Sequence, residues 1–136
     1  MGFGNYLEQK LLEYTFGARS FTPAATLYVH LYTASPNDSG GGTEVSTGVW
    51  TNYSAAAVTN DNTKWGTFSD GASIDNLSSV SFGTATISGT EPVVTHFAIK
   101  DGSGNLYGYG ALSASKTIYN GSTVSFGAGA LVVSLD

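Results

Sequence analysis

From Thr22 to Pro36 the chain reads TPAATLYVHLYTASP, and within it Leu27, Val29 and Leu31 alternate with Tyr28, His30 and Tyr32. A period of two sends neighbouring side chains to opposite faces, so this stretch predicts a strand with an aliphatic side for a core and a side of large amphipathic rings. Pro36 to Gly42, PNDSGGG, ends it in a loop ahead of Thr43 to Val45.

A helix precedes that strand. In GNYLEQKLLEYTFG, Asn5 and Glu8 have the spacing of a capping box, Leu7, Leu11, Tyr14 and Thr15 share one stripe, and Leu12 and Phe16 widen it. Gly17 offers a left-handed stop. About a dozen residues are too few for a helix to stand alone in water, so this one must dock on its own domain or on a neighbour.

The remainder reads as short strands. Trp50, Tyr53, Ala55, Ala57 and Thr59 suggest a weaker strand, followed by a polar, glycine-punctuated stretch from Asn60 to Asp75 that holds Lys64, Trp65 and Phe68. Val93 to Lys100 and Leu106 to Leu112 flank Asp101-Gly102-Ser103-Gly104-Asn105 as the arms of a hairpin. Val80-Ser81-Phe82-Gly83 recurs as Val124-Ser125-Phe126-Gly127, an echo that fits equivalent strands in two facing sheets. Ile118 and Tyr119, an Asn120-Gly121 turn of type I′, Val124 to Phe126 and Ala130 to Leu135 close the domain with another pair of strands. The expected fold is mainly β: an antiparallel β-sandwich, Ig-like or jelly-roll-like, over residues 19–136, with a short amphipathic docking helix over residues 1–18.

Composition narrows the function. A chain of 136 residues suits one domain with a real core, and with no cysteine it has neither disulfides nor a thiolate metal site. Only 11% of residues are charged against 41% hydrophobic, so the surface must be built from hydroxyls, amides and backbone, which suits contact with other proteins. The formal charge is −5, and the bases Lys10, Arg19, Lys64, Lys100 and Lys116 are scattered, which argues against nucleic acid as a partner. Glu8, Gln9, Lys10 and Glu13 interrupt the opening segment, so neither a secretory signal nor a membrane span is expected.

Candidate sites are few. His30 and His96 each sit inside a predicted strand without an accompanying nucleophile elbow, metal helix or paired acids, and read as structural. Asp101, Ser103 and Asn105 alternate like calcium-loop oxygens, but no glutamate stands at the twelfth position and a plain turn explains them. Trp50, Tyr53 and Trp65, with Phe68 nearby, could form a flat aromatic platform for a glycan. Asn52, Asn76 and Asn120 match the glycosylation acceptor pattern, which carries no weight without an export signal. No catalytic residue, cofactor or metal site is predicted.

The order NYLExxLL, TPAATLYVHLYTASP, a glycine-rich acidic loop before TEV, the VTHFAI-DGSGNLYGYGAL hairpin and a terminal VSFGAGALVVSLD resembles a family of small tailed-phage virion proteins. Its members are commonly labelled tail fibre or minor structural proteins. The resemblance implies a non-enzymatic, homo-oligomeric virion part, made in the host cytoplasm and bound to other capsid or tail proteins. Within that class a capsid decoration or cement protein is the first expectation and a small tail-fibre or tail-tip piece the second; a carbohydrate-binding host-recognition module is the alternative from another class. The expected contact surface is Tyr6, Leu7, Leu11, Leu12, Tyr14 and Phe16 on the helix, with Tyr28 and Tyr32 on the ring-bearing strand face.

Overall fold

In a computed structural model the described residues are 2–68 and 73–134, and they form ten strands and one helix. The expected alternation appears as β2 (Thr26–Ala34), in which Leu27, Val29 and Leu31 are buried. β2 sits inside an antiparallel sheet. One side pairs with β7 (Val93–Asp101), with Val29 opposite Ile99 and Leu31 opposite Phe97. The other side is covered end to end by β4 (Ala56–Thr59) and then β3 (Thr43–Glu44). β7 continues into β8 (Leu106–Thr117) as the predicted hairpin, and β1 (Gly2–Phe3) adds to the outside of β8. Asp101 shapes the hairpin turn: its carboxylate accepts from the Ser103 and Asn105 backbone N–H groups and from the Asn105 side chain, so a turn accounts for these oxygens as expected.

Two ribbons make the facing layer. β6 (Val80–Thr84) pairs with β9 (Thr123–Phe126), and β5 (Ser73–Asp75) pairs with β10 (Val132–Ser134). Between the layers Val29, Phe97, Ile99 and Tyr107 meet Val80, Trp65 and Leu131, while Leu31 and Val94 meet Trp50, Ala85 and Ile118. This is an antiparallel β-sandwich, and burial of these apolar side chains is its main support. A smaller cluster of Tyr32, Ala98 and Leu106 lies on the outer face of the large sheet.

Several local expectations are corrected. The repeated tetrapeptide does not mark strands in facing sheets: Val80 pairs with Phe126 and Ser81 with Ser125 in one ribbon, because both copies put the same aliphatic and aromatic pair toward the core. The strand after Trp50 starts only at Ala56, and its buried residues are Ala56 and Val58 instead of Ala55 and Ala57. Trp50 to Tyr53 is a turn, closed by Tyr53 N–H to Trp50 O at 3.0 Å. At Asn120-Gly121 only Gly121 takes a positive φ, +82°, and Ser122 N–H reaches Tyr119 O at 3.0 Å, the pattern of a type II turn. That turn is also no hairpin, since β8 and β9 do not pair and the chain changes layers there.

The helix α1 (Asn5–Gly17) is present, with different ends. Gly4 is its N-cap and has no side chain to cap with, while Asn5, already inside the helix, donates its amide to Ser39 Oγ at 3.2 Å. Its left-handed terminator is Ala18, at φ +50°, one residue beyond the expected Gly17.

Candidate assembly surface

Two halves of α1 have different roles. The first turn is gripped by the sandwich. Gly4 N–H donates to Tyr107 O at 3.1 Å, Asn5 N–H to Asp38 O at 2.8 Å, and Tyr6 stacks on Tyr107 with ring centroids 5.9 Å apart. Leu7 packs on the end of the interlayer core near Leu27, Ile99 and Trp65. The Tyr109 hydroxyl donates to Asp38 Oδ1 at 2.5 Å and fixes the glycine-rich loop beside the helix start. A β-carbon on Gly4 would stand 2.4 Å from Leu106 O, so only glycine permits this approach of helix entry to β8.

The second half points away. Leu12 and Tyr14 are each 59% exposed and Phe16 is 84% exposed, while no residue of the helix is fully buried. Leu12 and Phe16, four residues apart, share one helical face. Lys10, Gln9 and Glu13 line another side: Gln9 donates to Glu13 at 2.9 Å and Lys10 lies 4.0 Å from it. The Gln9 hydrogen bond, helped by the charges of Arg19 and Lys10, holds the Glu13 carboxyl below its ordinary value.

Of the eight residues expected at the contact surface, the helix thus splits into internal anchors, Tyr6 and Leu7, and outward groups, Leu12, Tyr14 and Phe16, with Leu11 half-buried between them. Tyr28 is half-buried on the outer sheet face. Tyr32 is only 3% exposed, packed on Ala98 and Leu106 with the Lys100 ammonium 5.3 Å from its ring, and is not free to meet a partner.

The aromatic platform is also corrected. Trp50 is fully buried, its indole N–H bonded to Asn52 Oδ1 at 2.8 Å, and Trp65 is 7% exposed. Tyr53 stacks on Phe82 at 6.3 Å, and its hydroxyl accepts from Leu31 N–H at 2.8 Å while donating to Glu44 at 3.0 Å. These ring faces are spent on the core. Phe68 is exposed, but as a single ring.

His30 has a partner that the sequence did not reveal: its Nδ1 lies 2.5 Å from Glu44 Oε1. His30, Glu44 and Tyr53 form one chain of hydrogen bonds that ties β2, β3 and the Trp50 turn together. The three side chains act as a strut between these segments. His96 bonds its neighbour Thr95 at 2.8 Å. Among the described residues, no three His, Asp or Glu side chains gather as a metal site, and no helix is long and apolar enough to cross a membrane.

The described residues thus form a β-sandwich carrying a helix whose second half is exposed. A family model described as podophage GP4 fiber I protein gp80 matches residues 2–134, and the chain belongs to that family of virion structural proteins. No curated protein matches it.

Proposed function

We propose that this chain is a non-enzymatic fibre component of a podophage particle, joined to a larger virion protein through the outward half of α1. The observation that carries the reading is the helix itself: held by its first turn, it presents Leu12, Tyr14 and Phe16 to solvent beyond the sandwich that grips it. Burying one Leu and one Phe stabilises a contact by roughly 3 to 6 kcal/mol before ordering costs, and copies arranged on a particle would add such contacts through multivalency. The family is named for a fibre, so the fibre reading is better supported than the expected capsid decoration. A glycan-binding role loses its expected platform with Trp50 and Trp65 buried.

Phe16→Asp tests the joint, because it sets a charge in the apolar contact while touching nothing in the sandwich. The variant should melt like the parent yet be missing from purified particles. Normal occupancy would remove α1 as the anchor. Labelling the protein at its C-terminus and imaging particles separates the placements: label at the tail fits the fibre reading, and label spread over the head fits decoration.

A further inference from the structure

The turn from Tyr119 to Ser122 holds the chain's one Asn-Gly pair, Asn120-Gly121. In such a pair the glycine backbone nitrogen attacks the carboxamide carbon of the preceding asparagine. A succinimide ring closes, and the side-chain nitrogen leaves as ammonia with the proton lost from the glycine N–H. Water then opens the ring at one carbonyl to give aspartate or at the other to give isoaspartate, whose backbone runs through the former side chain. Glycine eases the attack, because no β-carbon screens its nitrogen or restricts its backbone. Both residues are exposed, so water reaches them.

The fold ties up both reacting groups. Gly121 N–H donates to Ala85 O at 2.8 Å, and Asn120 Oδ1 accepts from Ile87 N–H at 2.9 Å. Ala85 N–H donates in turn to Ser122 O at 2.8 Å, so three hydrogen bonds staple the turn to the segment that follows β6. The nitrogen that must lose its proton is held on the carbonyl of a residue only 2% exposed, and the carboxamide it must reach is fixed on Ile87. Crowding plays no part in this guard: nothing lies within 4 Å of a β-carbon built at Gly121.

We propose that Asn120 is a deamidation site latched by these hydrogen bonds, so that its conversion is gated by release of the turn from Ala85 and Ile87. The aspartate product keeps an oxygen for Ile87 N–H. Isoaspartate instead adds a methylene to the backbone where the chain changes layers, and shifts Gly121 out of register with Ala85. The site lies apart from the outward half of α1 and does not depend on the fibre reading.

The full-length protein, held in mildly alkaline buffer with and without denaturing guanidinium, tests the latch by intact mass and peptide mapping. In denaturant Asn120 should convert ahead of every other asparagine. In the folded protein its conversion should be slower by roughly tenfold or more. That factor should match, within a few-fold, the slowing of hydrogen exchange at the Gly121 amide, because one opening frees both. Equal rates with and without denaturant overturn the proposal. So does a slowing that does not follow Gly121 exchange, and so does another asparagine that converts first in denaturant.

Discussion

Asn76 and Leu131 hold each other by two hydrogen bonds: Leu131 N–H reaches Asn76 Oδ1 at 2.8 Å, and Asn76 N–H reaches Leu131 O at 3.2 Å. The same amide donates to Ser78 O and Gly127 O, each at 2.9 Å, so a side chain only 1% exposed is fully satisfied and joins the two ribbons. Asn76→Ala should cost roughly 3 kcal/mol, because it strands the buried Leu131 N–H together with the partly buried Ser78 and Gly127 carbonyls. Chemical denaturation would show this as a lower midpoint with the slope unchanged; a loss within error of zero would mean that water replaces the amide without cost.

Gly4→Ala tests the seat of the helix. Its new methyl would collide with the backbone carbonyl of Leu106, which cannot swing aside as a side chain can, so a loss of about 1–3 kcal/mol is expected. Hydrogen exchange should quicken across Asn5 to Leu12 before it changes in β2 and β7. Unchanged protection there would show that the entry relaxes easily.

Gly121→Val separates conformation from space. Nothing lies within 4 Å of a β-carbon at Gly121, yet its φ of +82° disfavours a branched side chain. The expected loss is about 1–2 kcal/mol, read as a lowered melting temperature, and it comes from the backbone alone.

Acid should loosen the strut. Burial by itself pushes the Glu44 carboxyl up, but the hydrogen bonds from His30 and Tyr53 and the charges of His30 and Lys100 outweigh it and hold the carboxyl below its ordinary value of 4.5. A depressed folded-state pKa gives stability that is present above that ordinary value and is lost as pH falls through the folded value. Melting temperature should therefore drop on acidification below about 4.5, and the part due to this site should vanish in Glu44→Gln. Parallel acid profiles for parent and variant would contradict it. Burial also raises the Tyr53 hydroxyl well above its ordinary value of 10.0, so Tyr53 stays a donor throughout this range.

The sequence is most legible where spacing is local. The alternation of Leu27, Val29 and Leu31 and the DGSGN turn each carry their structure within about ten residues, and both appear as expected. Partnership across the chain is less legible. Nothing in TEV says that Glu44 will meet His30, since the contact depends on how the glycine-rich loop returns Glu44 opposite Tyr32. The Trp50 and Trp65 rings suggested a surface because large aromatics serve cores and binding faces equally, and pattern alone does not separate the two. On α1 the stripe is visible, but the division between Leu7 and Phe16 is not: it depends on where the sandwich ends beneath the helix.

The pairing of β6 with β9 has a kinetic consequence. Thr84 meets Thr123 across the whole span from Ala85 to Ser122, a distant closure for an unfolded chain. The β7–β8 hairpin lies inside that span and is clasped at its base by Val93 and Thr117. Once it forms, only Ala85 to Pro92 and Ile118 to Ser122 remain to be closed, which trims about 1 kcal/mol of loop entropy from the ribbon. The order of events is thereby nested, local hairpin first and ribbon second, so a chain emerging during synthesis cannot complete the β6–β9 ribbon until Phe126 has appeared.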